Sequence, residues 1–253
     1  MYHKFDAVLF DCDGVLVDSE PITNGLLRDM LEEQGWSLTP EACFQHFVGK
    51  AVMDEKLAIE ANTGKPLTEA WMQSFRARRN AALETHLQAI PNIHAAIEQI
   101  HLNFDGRIAC ASGADRFKVE LQLAKVALMP YFEGRIFSGH EMPRSKPAPD
   151  VYLAAAAAVG VHPNRCAVVE DTVTGVMAGV AAGCVVFGYA PPHLLTTEHA
   201  ALLVAGASHT FTDMLHLPSL LSQKVAQSMF DLRLRKRQRQ RQRQQDRQLS
   251  KDS

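Results

Sequence analysis

Four polar motifs in the sequence contain the residue types that could hold a cation and a phosphate group. In chain order they are Asp11 with Asp13, Ser112 with Gly113, Lys146, and Glu170 with Asp171. Carboxylates that lie close together repel one another unless a cation neutralises them, and their oxygens suit Mg²⁺ better than zinc. A Mg²⁺ ion, a lysine and backbone amides would together form a pocket for phosphate. Each motif alone is weak evidence, because pairs such as Asp-x-Asp and Ser-Gly are common.

The motifs must be brought together by a fold, and the surrounding sequence predicts one. Short apolar runs typical of buried strands alternate with helical patterns, which indicates βαβ units and a parallel sheet. Ligands of such sheets bind at the carboxyl ends of the strands, so the four motifs are expected to meet there. The predicted strands are 5–10, 107–111, 135–137, 166–169 and 184–187, and the helices between them are 93–102, 115–128, 148–159 and 173–182.

A purely helical segment follows the first strand. Apolar residues at 26, 27, 30 and 31 have helical spacing, and helical patterns continue at 40–47, 52–61 and 68–83. The predicted fold class is therefore α/β, with a Rossmann-like parallel sheet core and an inserted all-helical cap. The predicted domains are a core of residues 1–18 and 88–223, a cap of residues 19–87, and a basic Arg/Gln-rich tail of residues 224–253 that is expected to be disordered.

The formal net charge of −2 hides two oppositely charged parts. Residues 224–253 contain ten Lys or Arg and three Asp, for a net charge of +7, and the rest of the chain carries −9. An acidic body argues against nucleic acid as the ligand of the core. For the tail, attraction to nucleic acid or to an anionic membrane is the minority interpretation.

Cysteine usage and hydropathy predict the cellular setting. The five cysteines are odd in number and form no C-x-x-C pair, and no apolar leader precedes the first strand, so a cytoplasmic location is expected. The longest stretch without charged residues, 172–197, is interrupted by four glycines and a Pro-Pro pair. It is predicted to be a buried helix and strand, not a membrane span. The expected oligomeric state is a monomer or a weak dimer.

The four motifs together resemble those of the haloacid dehalogenase superfamily. The matching segments are DCDGVLVDSE at 11–20, ASG at 111–113, KPAPDVY at 146–152 and VVEDT at 168–172. The sequence is most similar to the β-phosphoglucomutase-like phosphatases, in which a small helical cap follows the first motif. The resemblance covers residues 5–192 and leaves the tail outside it.

This resemblance implies a role for each motif residue. Asp11 is the expected nucleophile and forms an aspartyl-phosphate, while Asp13 protonates the leaving oxygen and later deprotonates the attacking water. The resemblance places Mg²⁺ on a side-chain oxygen of Asp11, the backbone carbonyl of Asp13 and Asp171, with Glu170 in support directly or through water. Ser112 and the Gly113 amide are expected to hold phosphoryl oxygens, and Lys146 to offset the negative charge.

The cap is expected to choose the substrate. The resemblance points to Gly49, Lys50 and Arg79 as contacts for the distal part of the substrate, and Glu20 is a further polar candidate. Basic cap residues favour a sugar phosphate or a sugar-acid phosphate as the small-molecule phosphate ester. The competing interpretation is a set of solvated helix faces, which is the one we favour for Arg78.

Two other functions are considered beside a Mg²⁺-dependent phosphatase. A hexose phosphate mutase is disfavoured, because no Arg follows soon after Gly49 and no His lies near Thr23 and Asn24. A non-catalytic binding module is disfavoured by the intact motif residues. The glycines at 175, 179 and 183 could suggest a dinucleotide fingerprint, but their spacing favours close helix packing.

Overall fold

The computed structural model of the protein describes residues 5–47, 50–191 and 196–222. Six strands among these residues form one parallel sheet in the order β3-β2-β1-β4-β5-β6. They are β1 Ala7–Phe10, β2 Ile108–Ser112, β3 Ile136–Ser138, β4 Cys166–Glu170, β5 Val185–Tyr189 and β6 His209–Phe211. The predicted parallel α/β fold is thus confirmed. The strand β6 was not predicted from the sequence, because only Phe211 of its three residues is apolar and buried, so it forms no apolar run.

Within the described part of the insert, four helices follow β1 before the chain returns to the sheet, and the sequence predicted helices here. They are α1 Glu20–Glu33, α2 Pro40–Phe47, α3 Lys56–Thr63 and α4 Glu69–His86, with a 3₁₀ turn at Val52–Glu55. The hydroxyl of Thr68 caps α4 by accepting a hydrogen bond from the amide of Trp71 (3.2 Å). Apolar side chains that include Leu31, Phe47 and Phe75 form a cluster of their own among these helices.

The two chain crossings between these helices and the sheet lie side by side. The amide of Asp18 donates to the carbonyl of Gln88 (3.0 Å), and Val17 pairs with Ala89 in an isolated antiparallel bridge. These adjacent crossings, together with the separate apolar cluster, are the basis on which we propose that residues 19–87 form the cap and residues 1–18 and 88–223 the core.

The remaining helices cover both faces of the sheet. They are α5 Ile93–Asn103, α6 Arg116–Lys125, α7 Met129–Phe132, α8 Asp150–Ala158, α9 Val173–Ala181, α10 Thr196–Val204 and α11 Leu217–Leu221. Side chains of α5, α6, α7 and α11 pack on one face, and those of α8, α9 and α10 pack on the other. A strand covered on both faces carries apolar residues throughout, which explains the continuous apolar runs in the sequence.

The uncharged stretch at 172–197 contains α9 and β5. A methyl group on Gly179 would lie 2.8 Å from a side-chain carbon of Val186, so this glycine allows α9 to pack closely on the sheet. Among the described residues, no helix is long and apolar enough to cross a membrane. The predicted tail, residues 224–253, lies outside the described residues.

Candidate active site

The strand order brings the four motifs to one edge of the sheet. The central strand β1 pairs with β2 on one side and with β4 on the other, so the loops that follow these three strands are neighbours. Lys146 lies beyond β3, in the segment that leads to α8. Its ammonium contacts Asp11, directly after β1, and Glu170, at the end of β4, so three of the four motifs meet in direct contact.

Asp11 lies in a buried cluster of opposite charges. The Lys146 ammonium donates to Oδ1 of Asp11 (2.7 Å) and to Oε1 of Glu170 (2.6 Å). Burial raises the pKa of Asp11 to about 7, although Lys146 partly opposes this shift. Burial lowers the pKa of Lys146, but the two carboxylates outweigh this effect and the pKa lies above its usual value. Lys146 is thus a fixed positive charge at the carboxyl end of β1.

Tyr152 completes this cluster, and the sequence analysis gave it no role. Its hydroxyl donates to Oε1 of Glu170 (2.8 Å), and its ring lies under the Lys146 ammonium, 4.8 Å from the ring centroid. Tyr152 is fully buried on α8. Its place in the KPAPDVY segment, six residues after Lys146, was the available signal.

The other oxygen of Glu170 holds the loop that follows β4. Oε2 accepts hydrogen bonds from the amides of Asp171 (3.0 Å) and Thr172 (3.1 Å) at the start of α9. A methyl group on Gly175 would lie 1.7 Å from Oε1 of Glu170, so only glycine leaves room for this carboxylate. The absence of a side chain at Gly175 therefore allows the Glu170 carboxylate to lie against the first turn of α9.

Asp171 is the member of the site that best fits a metal ligand. Its Oδ1 is buried and has no hydrogen-bond partner among the described residues. Carboxylate oxygens of Asp11, Glu170 and Asp171 lie within 4.8 Å of one another. Gly14, with φ of +76°, allows Asp171 to approach, because a methyl group there would lie 1.9 Å from Oδ2. An orphaned oxygen among hard oxygen donors fits Mg²⁺.

Asp13 has its own set of donors, which does not include Lys146. Its Oδ1 accepts hydrogen bonds from Lys118 (2.7 Å), from Gln122 (2.8 Å) and from the Ser19 hydroxyl. Burial opposes ionisation, but Lys118 and the two other donors lower the pKa of Asp13 to about 2. The sequence analysis missed Lys118 and Gln122. The available signal was two polar residues four apart on the face of α6 that also carries Val119 and Leu123.

Ser112 and Gly113 form the loop after β2. Ser112 is buried, and its hydroxyl accepts a hydrogen bond from the amide of Ala114 (3.1 Å). The Ser138 hydroxyl, at the end of β3, donates to the Ala114 carbonyl (2.6 Å) and supports the same loop. A methyl group on Gly113 would meet nothing within 4 Å among the described residues, so the loop has open space beside it.

The predicted cap residues have different surroundings. Lys50 is half exposed and pairs with Glu55 (2.8 Å). Arg79 is buried and donates to Asp115 (3.1 Å) on the core side. Glu20 lies at the start of α1, where burial, together with the charge on Asp13, raises its pKa to about 7. Gly49 lies outside the described residues.

A cavity of about 1150 Å³ opens between the cap and the core. It extends from Asp171 along α1 and α2 to the ends of β5 and β6. Its described lining contains one basic side chain, Arg28, whereas Lys50 and Arg79 lie outside it. The carboxylates that line it are Asp18, Glu20, Glu41, Asp171 and Asp213.

The parallel sheet therefore places a buried aspartate, a lysine and a group of carboxylates that could hold a cation at its carboxyl edge. A family model of haloacid dehalogenase-like hydrolases matches residues 5–183. The chain belongs to this family, and the relatives that it matches identify it as a phosphatase.

Two curated relatives and one solved structure are similar over most of their length. The 6-phosphogluconate phosphatase of Escherichia coli is 31% identical over 86% of this chain and 95% of the relative. Hexitol phosphatase A of the same organism is 32% identical over 73% of this chain and 82% of the relative. A HAD family hydrolase from Deinococcus radiodurans, solved with bound phosphate and sodium, is 31% identical with a TM-score of 0.69, over 85% of this chain and 94% of that chain.

Proposed function

We propose that the protein is a Mg²⁺-dependent phosphatase that hydrolyses a sugar phosphate or a sugar-acid phosphate through an aspartyl-phosphate intermediate. One observation carries the proposal. The Asp11 carboxylate is held by Lys146 beside two further carboxylates, and Asp13, with separate partners, lies two residues along the chain. A nucleophile and a proton-transfer group with different environments are what a two-step displacement requires.

In the first step, an Asp11 carboxylate oxygen attacks phosphorus. The bond from phosphorus to the leaving oxygen breaks, and that oxygen takes a proton from Asp13. In the second step, water attacks the aspartyl-phosphate, Asp13 takes its proton, and the Asp11 carboxylate leaves. The free acid required for the first step must form in the substrate complex, since the partners of Asp13 hold it ionised here.

The cation site supports the first step through charge. Asp11, the backbone carbonyl of Asp13 and Asp171 would hold Mg²⁺, and Glu170 supports them by fixing Lys146 and the Asp171 loop. When bound, Mg²⁺ supplies positive charge to the phosphoryl oxygens. Lys146 contributes a permanent positive charge directly beside Asp11.

The phosphate and the rest of the substrate would meet different parts of the protein. Ser112 and the Gly113 amide are proposed to hold phosphoryl oxygens beside Lys146. The proposed contacts of the distal part are Glu20, Gly49, Lys50 and Arg79. The names of two similar proteins support this substrate class, since one is a 6-phosphogluconate phosphatase and the other is hexitol phosphatase A.

A panel of about a hundred phosphorylated metabolites, assayed for phosphate release with Mg²⁺ or with EDTA, tests the function. We expect turnover of sugar phosphates or sugar-acid phosphates only with Mg²⁺. Asp11→Asn should lose several orders of magnitude in rate while remaining folded. The matched control is Glu98→Gln, an exposed carboxylate on α5. Activity of Asp11→Asn above about 10% of wild type, or full activity without metal, would contradict the mechanism.

We also propose a cytoplasmic location and a monomer or weak dimer. All five cysteines are free and buried, which agrees with a reducing compartment. Size-exclusion chromatography with light scattering at several protein concentrations tests the oligomeric state.

A further inference from the structure

The two oxygens of Asp13 have unequal surroundings. Three donors, from Lys118, Gln122 and Ser19, converge on Oδ1. No donor from the described residues reaches Oδ2. Three hydrogen bonds to one oxygen fix the rotation of the carboxylate and leave the other oxygen for a group outside the protein.

Lys118 is committed to this contact by its burial. Its side chain is 9% exposed, and its ion pair in the described structure is with Asp13. Burying an ammonium is costly unless a partner neutralises it, so a lysine on the apolar face of α6 indicates a specific role for its charge. The other charged side chains of this helix are in contact with solvent: Arg116 and Glu120 are partly exposed and Lys125 is exposed.

Gln122 is oriented in turn by a residue between the two aspartates. The Cys12 thiol donates to Oε1 of Gln122 (3.5 Å), which directs the Gln122 amide nitrogen at Asp13. Both residues are fully buried. The chain that carries the nucleophile therefore also orients one of the donors to Asp13.

The start of α6 is fixed from the cap side. The Asp115 side chain caps the helix by accepting from the amide of Lys118 (2.9 Å), and its other oxygen accepts from Arg79 of α4 (3.1 Å). This pair anchors the first turn of the helix, one turn before Gln122. The backbone of Lys118 is thus held at the same time as its ammonium holds Asp13.

From these contacts we propose that Lys118 and Gln122 are positioning residues that aim Oδ2 of Asp13 at the leaving oxygen of the substrate. The inference rests on the proposed function, because it assigns a task within the first step of that mechanism. In that step the proton moves from Asp13 to the leaving oxygen as the bond to phosphorus breaks. Without the two donors, Asp13 can rotate away from this position.

The nature of the leaving group separates positioning from structural support. An alkyl phosphate releases an alkoxide-like oxygen that must be protonated as it leaves, whereas p-nitrophenolate leaves without a proton. A defect in aiming Asp13 should therefore slow cleavage of the alkyl ester and spare the first cleavage of p-nitrophenyl phosphate. A distorted site should slow both.

The experiment is a rapid-quench measurement with enzyme in excess over ester, in the presence of Mg²⁺. The substrates are p-nitrophenyl phosphate and the alkyl phosphate that the wild type cleaves fastest. For Lys118→Met we expect the first cleavage of the alkyl ester to slow about 10- to 100-fold, which is part of the rate enhancement that general acid catalysis supplies. The first cleavage of the aryl ester should slow by less than about threefold. Gln122→Leu should also slow cleavage of the alkyl ester more than that of the aryl ester, but by a smaller factor. This variant tests the inference if Lys118→Met does not fold.

The matched control is Lys125→Met, which removes an exposed lysine from the same helix and should leave both rates unchanged. Equal slowing of the two esters in the folded variants would overturn the inference, and so would undiminished cleavage of the alkyl ester. Either result leaves the proposed function standing if Asp11→Asn is inactive on both esters. Cleavage by Asp11→Asn would instead refute the proposed function itself.

Discussion

At the scale of single residues, Asp11 and Asp13 lie two positions apart and have opposite pKa shifts. Burial, together with nearby carboxylates, raises the pKa of Asp11 to about 7, against one lysine that opposes it. Burial acts on Asp13 as well, but a lysine, an amide and a hydroxyl outweigh it and lower the pKa to about 2. The difference arises from the partners and not from the residue type. A cation beside Asp11 would offset the charge of the nearby carboxylates, which adds to the effect of burial on the pKa of Asp11.

These shifts predict how the stability of the metal-free protein depends on pH. The pKa values of Asp11 and Glu20 are raised to about 7 in the folded state. Between their unfolded values and pH 7 the folded state binds more protons, so the free energy of unfolding falls as the pH rises through this range. With EDTA, the melting temperature should therefore decrease from about pH 5 to about pH 8.

Saturating Mg²⁺ should flatten this decrease, because a ligand that binds the ionised carboxylates stabilises the folded state most at high pH. The Asp11→Asn variant should show a smaller slope with EDTA than the wild type. The lowered pKa of Asp13 acts only under acidic conditions, since its contribution is lost as the pH falls towards 2. A melting temperature that rises with pH in EDTA would contradict the prediction.

At the scale of elements, α9 depends on a glycine at its first turn. Gly175→Ala would place a methyl group 1.7 Å from Oε1 of Glu170. We expect the free energy of unfolding to fall by about 1–3 kcal/mol, the usual effect of overpacking. Activity should also fall, because Glu170 positions both Lys146 and the Asp171 loop. Thermal or urea unfolding and steady-state kinetics measure the two effects.

The matched control for this substitution lies in the cap. Gly25 is inside α1, and a methyl group there would meet nothing within 4 Å among the described residues. Gly25→Ala should therefore stabilise the protein by about 0.5–1 kcal/mol, since alanine is the better helix former. If the two alanine variants had the same stability, the contact between Gly175 and Glu170 would not matter.

The helix α4 carries two adjacent arginines with different surroundings. Arg79 is buried and bonded to Asp115, whereas Arg78 is exposed and paired with Glu33. If Arg79 and Lys50 contact the distal part of the substrate, alanine at either should raise KM for the best sugar phosphate. The loss of a charge-assisted contact of about 1.5–3 kcal/mol should raise KM roughly 10- to 100-fold. A minimal aryl phosphate lacks the distal part and should be affected much less.

Arg78→Ala is the control and should change KM by less than about twofold, because exposed ion pairs contribute little. Equal losses of Arg79→Ala on both substrates would assign Arg79 to the contact between cap and core through Asp115. No loss on either substrate would leave Lys50 and Arg79 without a role in binding.

At the scale of the whole molecule, the basic tail is predicted to be dispensable for the reaction. The four motifs lie before Pro192, and after Phe230 the tail offers only Leu232, Leu234 and Leu249 to bury, which is too little apolar area to offset ordering the chain. Truncation after Gln223 should leave kcat within about twofold. It should also lower the isoelectric point and weaken any salt-sensitive association with polyanions, because the remaining chain carries −9.

Kinetics of the truncated and full-length proteins measured side by side, together with heparin-column retention at several salt concentrations, test this prediction. A large loss of kcat in a folded, truncated protein would mean that the tail reaches the active site or builds a needed contact between copies.

The sequence alone determined the parts of this protein that depend on local patterns. Apolar runs ended by turn residues gave five of the six strands, helical spacing gave the inserted helices, and the order of the motifs gave the meeting of Asp11, Lys146 and Asp171 at one edge of the sheet. These features are predictable because the period and the length of an apolar run are properties of neighbouring residues, and because parallel sheets connect in few ways and bind ligands at the carboxyl ends of their strands.

The tertiary structure alone decided which side chains form hydrogen bonds and ion pairs with each motif residue. Lys118 lies 105 positions from Asp13 in the sequence, and Gln122 lies 109 positions from it. Arg79 donates to Asp115, the capping residue of α6, which lies 36 positions away. No local pattern records such pairs, because they arise only when separate elements pack. Buried charge made these partners necessary, since an ammonium or a carboxylate inside the protein is stable only beside a group that neutralises it. Which group that is depends on the packing of α6 and α4 against the loop after β1.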